Sequence, residues 1–390
     1  MRVVYADNNA TTMVAPEVIE VMLPYFTEYY GNPSSMHTFG GQVANKIENA
    51  RQQVADLIGA DPSEIIFTSC GTESNNAAIL GILRANPHKR HIVTSRVEHP
   101  AVYNLCKHLA QSGYSVTELE VDKNGILNLN ELANAVRDDT AIVSIMYANN
   151  ETGVIFPIEE IDTIVKQKGS VLHTDAVQAA GKIPINLSKN TINLMTLSGH
   201  KLHAPKGIGV LFIRRGTKFI PFIIGGHQEK NRRGGTENVP SIIGLGKACE
   251  LAKKYMAEEQ TRIKHLRDTL ENEILKKAPD ARVNGHREHR LPNTTNLSFE
   301  FVEGEAILLL LNEKGICASS GSACTSGSLE PSHVLRAMGV PFTAVHGSIR
   351  LSLSRYNTKE DTDFIIEHFP PIIKRLREIS PYGRETKTKE

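Results

Sequence analysis

The sequence lacks any long apolar run. The longest clean one, residues 306–311, falls far short of the ~20 residues a bilayer crossing needs. Its N-terminus, Met1-Arg2-Val3-Val4-Tyr5-Ala6-Asp7, meets charge before a signal-type apolar core could form. Charge of one sign is lacking too: 44 basic against 43 acidic side chains leave a formal net charge of +1. That balance argues against a general affinity for nucleic acid or an anionic membrane surface. Cysteine is sparse. Cys70, Cys106, Cys249, Cys317 and Cys324 are too few and too scattered for a disulfide scaffold. Repeats and low-complexity segments are absent, and only residues 383–390 are polar enough to suggest disorder. What is present is bulk: 390 residues, 40% of them hydrophobic, enough for two or three domains with sizeable cores. The expectation is a soluble, cytoplasmic, globular protein of enzyme size.

The spacing predicts a helix over residues 42–58, with Val43, Ile47, Ala50, Val54, Leu57 and Ile58 on one face and Gly59 as its stop. Beyond it, short apolar runs (65–67, 91–94, 141–147, 171–172, 192–197) lead repeatedly into polar or glycine-bearing turns. Helical patterns at 75–83, 101–111 and 158–168 separate several of them. Buried strands alternating with helices imply an α/β domain with a largely parallel sheet. The texture changes near residue 255. A long helix over about 246–277 is followed by alternating runs at 297–301 and 349–353 and helices at 305–313 and 359–379, an α+β pattern. A domain boundary is expected inside or just before the long helix.

In an open parallel sheet, ligands bind beyond the carboxyl ends of the strands. Thr68-Ser69-Cys70-Gly71-Thr72-Glu73-Ser74 follows the first run and opens a helix, which suits a phosphate as well as it suits an ordinary N-cap. The next strand ends yield His99, then Asn149-Asn150-Glu151-Thr152-Gly153, then His173-Thr174-Asp175-Ala176-Val177-Gln178, then Ser198-Gly199-His200-Lys201. A single strand-end histidine or aspartate is most often structural. One edge that gathers a phosphate-like turn, a histidine, an asparagine, an aspartate and a lysine matches what pyridoxal phosphate asks of a protein.

These motifs, with Asp7-Asn8-Asn9-Ala10-Thr11-Thr12, Arg233-Gly234-Gly235-Thr236-Glu237-Asn238 and Ser320-Gly321-Ser322-Ala323-Cys324-Thr325-Ser326-Gly327, resemble the cysteine desulfurases of the NifS/IscS group. The likeness runs in order along nearly the whole chain. Gly225-Gly226-His227-Gln228-Glu229, residues 305–311 and 322–338 and the short end look most similar to the nitrogenase-associated NifS type. The resemblance implies an α/β protein of pyridoxal phosphate fold type I. Residues 15–255 would form a large cofactor-binding domain with a mainly parallel, seven-stranded-type sheet. Residues 1–14 and 256–390 would form a smaller α+β domain carrying the catalytic cysteine loop. By the same resemblance Lys201 would hold the cofactor through its amine and move protons, and Asp175 would pair with the pyridine nitrogen. His99 would stack on the ring and join in proton transfer, Gln178 would bond its 3′-oxygen, and Asn150 would lie alongside. Gly71, Thr72, Ser198 and His200 would bind the phosphate, and Thr236 would reach the phosphate of the neighbouring subunit in a homodimer. Arg350 would clamp the substrate carboxylate, with Arg355 a weaker candidate. Cys324 would take sulfur from L-cysteine as a persulfide, leaving L-alanine, and pass it to an iron–sulfur scaffold protein, for nitrogenase or in a housekeeping role.

The remaining cysteines, Cys70, Cys106, Cys249 and Cys317, read as small packing residues. Three other readings compete: a class V aminotransferase or β-eliminating lyase; a metalloenzyme using His200 and His203 with His227 or Cys324; and a serine hydrolase through Ser198-x-x-Lys201, for which the usual companion motifs are missing. A non-enzymatic binding module fits worst, because so many polar side chains converge on one sheet edge.

Overall fold

The computed structural model describes residues 2–320 and 331–380. Cys324 and the polar tail at 383–390 lie outside them. The strands, in chain order, are β1 (Val4–Tyr5), β2 (Ile65–Thr68), β3 (His91–Ser95), β4 (Ser115–Leu119), β5 (Thr140–Ser144), β6 (Val171–Asp175), β7 (Leu194–Ser198), β8 (Gly209–Ile213), β9 (Ala281–Val283), β10 (Thr294–Phe299), β11 (Ile316–Cys317) and β12 (Ser348–Ser352). Seven form one sheet in the order β2-β8-β7-β6-β5-β3-β4. Its pairings are parallel except those of β8, which runs antiparallel to both β2 and β7.

Every residue of β2, β3, β5, β7 and β8 is buried, as expected where helices cover both faces of a sheet. Successive side chains alternate between two cores. Ile66, Ile92, Ile142 and Leu194 face the helices Gly71–Ala85 and Pro100–Gln111. Phe67, Val93, Val143 and Met195 face Val54, Ile161 and Leu245 on the other side. The helix Thr38–Ile58 starts four residues before the apolar periodicity does, because His37 Nδ1 accepts the Gly40 N–H at 3.0 Å. It ends at Gly59, whose φ of 66° is the left-handed conformation of a helix stop.

The long helix starts earlier than expected, at Val239, and runs through a π-turn at Glu259–Ile263 into Lys264–Lys277. Residues up to Met256 pack on the sheet, whereas those from Ile263 onward pack on a separate core with Leu297, Phe299, Ile349, Leu351 and Phe369. This second core is roofed by the antiparallel sheet β12-β10-β9 and receives the N-terminus through the parallel pair β1-β11. Phe301, expected on a strand, lies just past the end of β10 with φ at 62°, in a turn. Among the described residues, no helix is long and apolar enough to cross a membrane.

A buried ion network ties the long helix to the loop before β10. Glu271 accepts Arg290 Nη1 at 2.6 Å and Nη2 at 2.9 Å, and the Thr295 hydroxyl at 2.6 Å. Glu271→Ala strips a buried arginine of its counter-charge, so it is expected to destabilise the fold by about 3–5 kcal/mol, read as a lowered urea midpoint.

Candidate active site

The carboxyl ends of β2, β3, β5, β6 and β7 open onto one cleft with room for about 410 Å³. Gly71, Thr72, His99, Asn150, Asp175, Gln178, Ser198, His200 and Lys201 all line it, and Arg350 reaches it from β12. Ten of the expected site residues therefore share one cavity. The turn after β6 directs Asp175 inward: its Oδ1 accepts the Val177 N–H at 3.0 Å and its Oδ2 the Asn75 amide at 2.6 Å. His99 caps the helix Pro100–Gln111, with Nδ1 accepting the Ala101 N–H at 3.1 Å. Burial, opposed by Asp175 and reinforced by Lys201, holds His99 below the usual histidine range. The ring is therefore neutral, with its proton on Nε2. Burial and the neighbouring Lys201 likewise pull His200 down to about 4. Lys201 Nζ donates to the Asn9 and Ala10 carbonyls, both at 2.6 Å. Arg350 is buried, with Nη2 on Asp7 Oδ1 at 2.7 Å and Nη1 on the Asn150 carbonyl at 3.0 Å.

Two expectations need correction, and two further residues lie away from the cleft. Cys70 is not a packing residue. It is half-buried, lines the cleft and caps the helix Gly71–Ala85 by accepting the Glu73 N–H at 3.5 Å. Cys317, expected in the core, is also only partly buried, whereas Cys106 and Cys249 are fully buried. Thr236 is exposed and lines a different depression, with Glu229 and Arg233, outside this cleft. Arg355 faces another cavity, next to Tyr255. Asn9 and Ala10, inside a quoted motif, and Asn75, one residue past another, also line the cleft without having been singled out. Among the described residues no group of three or more His, Cys, Asp or Glu side chains could hold a metal ion; the arm of the metal reading that uses Cys324 lies outside them.

Cys324 lies outside the described residues, and the residues on either side of 321–330 make defined contacts. Ser319 and Arg350 exchange backbone hydrogen bonds at 3.2 and 2.6 Å. Ser332 donates to Glu151 Oε2 at 2.5 Å, and His333 Nε2 donates to the Glu98 carbonyl at 2.9 Å. The first flank is thus fastened to Arg350 on the cleft wall, and the second to Glu151 and Glu98, the sequence neighbours of the cleft residues Asn150 and His99.

Burial pushes Glu98 up to about 8, despite the Ser95 hydroxyl and the Met146 N–H on its Oε1. The folded chain keeps a proton there that an unfolded chain releases near pH 4.5. Glu98 therefore costs stability progressively as pH rises from about 4.5 to 8, by an amount on the order of a few kcal/mol. Glu98→Gln removes that cost, so the variant is expected to gain stability relative to the wild type between pH 5 and pH 8 in paired urea titrations.

The residues present fit pyridoxal phosphate. At the sheet end of the cavity a Cβ on Gly71 would stand 3.1 Å from Val177 Cγ2 and 3.3 Å from Ser198 Cβ, so the glycine keeps the helix N-terminus open to a phosphate. Across the cavity lie a carboxylate held from behind by Asn75, a neutral imidazole and a lysine amine. The class defined by this fold and site is that of pyridoxal phosphate enzymes. Within that class the chain belongs to the aminotransferase class-V family, which it matches over residues 4–365. It is 61% identical over 385 residues to a protein named cysteine desulfurase from Trichormus azollae, covering 99% of this chain and 96% of that one. It is 58% identical over 380 residues to one named cysteine desulfurase NifS from Azotobacter vinelandii, covering 97% and 94%. A solved structure called a NifS-like protein superposes with a TM-score of 0.91 at 40% identity, over 96% of this chain and all of that one.

Proposed function

We propose that this protein is a pyridoxal phosphate-dependent cysteine desulfurase. It converts L-cysteine to L-alanine, and the Cys324 thiol takes up the sulfur as a persulfide. The balance is one thiol and one cysteine in, one persulfide and one alanine out. The observation that carries this reading is the fastening of residues 321–330 beside the Lys201 cleft, through Ser319 on Arg350 of the cleft wall and Ser332 on Glu151, next in sequence to the cleft residue Asn150. Full-length relatives bearing that name support it.

When bound, the coenzyme supplies an electron sink that makes the substrate Cβ–S bond breakable. Lys201 holds it and, once displaced, moves the proton at substrate Cα. The Asn9 and Ala10 carbonyls that now accept from Nζ mark the track on which the amine is kept. Asp175 keeps the pyridine nitrogen protonated, and its bond from Asn75 fixes the carboxylate in place. His99, neutral, stacks without adding a competing charge. Gly71, Thr72, Ser198 and His200 bind the phosphate, and Thr236 serves the site of a second subunit in a homodimer. Its exposure and its distance from its own chain's cleft support that role. Arg350 takes the substrate carboxylate: its Nε is buried and has no partner among the described residues, leaving a planar donor free for an anion.

The sulfur goes to an iron–sulfur scaffold protein. The NifS name of a relative supports nitrogenase maturation over a housekeeping role. We place the protein in the cytoplasm, where unpaired thiols such as Cys70 and Cys317 persist. Residues 15–255 are taken as the cofactor-binding domain, and residues 1–14 with 256–390 as the smaller one. The deciding experiment incubates the protein with cysteine and a reductant, then measures alanine, sulfide and the mass of the Cys324 peptide. Stoichiometric alanine, with one added sulfur on that peptide before reduction, is the expected result; pyruvate in place of alanine would point to a lyase.

A further inference from the structure

Directly behind the cleft sits a buried lysine that no step above uses. Lys182 is 7% exposed, and its Nζ donates to two oxygens of a single residue, the Gln178 carbonyl at 3.1 Å and the Gln178 side-chain Oε1 at 3.4 Å. Gln178 lines the cleft, and its Nε2 donates one hydrogen to the Asn9 carbonyl at 2.9 Å. An amide nitrogen carries two hydrogens, so one remains for the cavity. We propose that Lys182 is a positioning residue for the coenzyme: by engaging Gln178 Oε1 it fixes the amide so that the N–H side, not the oxygen, faces the ring's 3′-oxygen.

The physical need is plain. A side-chain amide can flip, and the flipped form would set a carbonyl oxygen against an oxyanion. A cation behind the amide makes that flip costly, because the NH2 group would then meet the ammonium. The lysine has its own counter-charge. Glu259, on the π-turn of the long helix, is buried and its Oε2 has no partner among the described residues. Lys182 and Glu259 line one small cavity of about 20 Å³, room for a single water, with Lys201, Tyr255 and Arg355 on its other walls. Burial pulls Lys182 down and pushes Glu259 up, and each offsets the other. The other titratable groups around the pair are Arg355, Glu258 and Arg262, which act on Glu259, Lys201 across the cavity, and His200 and His203, both held neutral by burial. A π-turn inserted at this position is a local cost that recurs at functional sites, and here it places Glu259 toward the lysine.

The inference rests on the coenzyme reading above, and its test separates the two. The probe is the absorbance of the bound coenzyme followed against pH in the holoenzyme. Lys182→Met should raise the midpoint of that titration by about half to one pH unit, the worth of one hydrogen bond to the ring oxygen. In a Gln178→Ala background the same substitution should add nothing. Lys182→Gln, whose own amide can still donate to Gln178 Oε1, should leave the midpoint near that of the wild type. An equal shift in both backgrounds, no shift with Lys182→Met, or a full shift with Lys182→Gln would each overturn the proposal and make the lysine a distant charge or a packing group. If Lys182→Met does not fold, Lys182→Gln decides alone. A wild-type protein that takes up no coenzyme would overturn the coenzyme reading instead.

Discussion

Lys201→Ala is expected to lower alanine formation by at least ~10³-fold while leaving the fold intact, since the lysine both anchors the coenzyme and carries the proton at Cα. Lys201 is half-buried on a short turn after β7, and its amine donates to the Asn9 and Ala10 carbonyls. The coenzyme should still enter, held by Asp175, Ser198 and the helix N-terminus at Gly71, but without a covalent link. Borohydride reduction followed by intact mass measurement reads this directly: the wild type should gain the coenzyme's mass, and Lys201→Ala should not. Turnover within tenfold of the wild type, or an unchanged covalent adduct, would remove Lys201 from the centre of the mechanism.

The residues on which that expectation depends were legible in the sequence for a definite reason. Strands buried on both faces read as continuous apolar runs, and the polar residue ending each run must sit at the rim of the sheet. Asp175, His99 and Lys201 follow from that rule almost unaided. The edge strand β4 did not, because its residues alternate only weakly and most are half-exposed. The antiparallel strand β8 was also missed. Its apolar run Val210–Ile213 follows Gly207 so closely that it reads as part of the turn after Lys201, and no helix separates it from β7. The same limit applies inside the site. Asn75 lies on the first turns of a helix whose apolar face is otherwise ordinary, and only the folded sheet brings it beneath Asp175. Asn9 and Ala10 come from a strap outside the sheet, so no strand-end rule could point to them. Cys70 shows the opposite failure: a cysteine amid apolar strands reads as packing, but its place as a helix cap holds it at the mouth of the cleft. Lys182 was passed over for a related reason, since a lysine after a glycine reads as a surface turn until burial shows otherwise.

Replacing Cys324 with alanine should lower alanine formation by at least ~10³-fold, yet leave a coloured enzyme that still binds cysteine. Such a loss separates a desulfurase from a class V aminotransferase on the same fold, which needs no thiol and would keep its turnover. The other thiols offer an internal control. Burial pushes Cys106 and Cys249 up to about 12, so neither supplies a thiolate near neutral pH. Cys70 is the serious rival, because it already lines the cleft that holds Lys201. Its sulfur, however, accepts the Glu73 N–H and the Ser69 hydroxyl, a capping role that competes with nucleophilic attack. Cys70→Ala should therefore keep most of the alanine formation and lose only helix-cap stability, about 1 kcal/mol. If the outcomes were reversed, with Cys70→Ala dead and Cys324→Ala active, the sulfur would be leaving the substrate at the phosphate end of the cleft. The thiol chemistry would then belong to the helix N-terminus after β2 rather than to the segment fastened between Ser319 and Ser332.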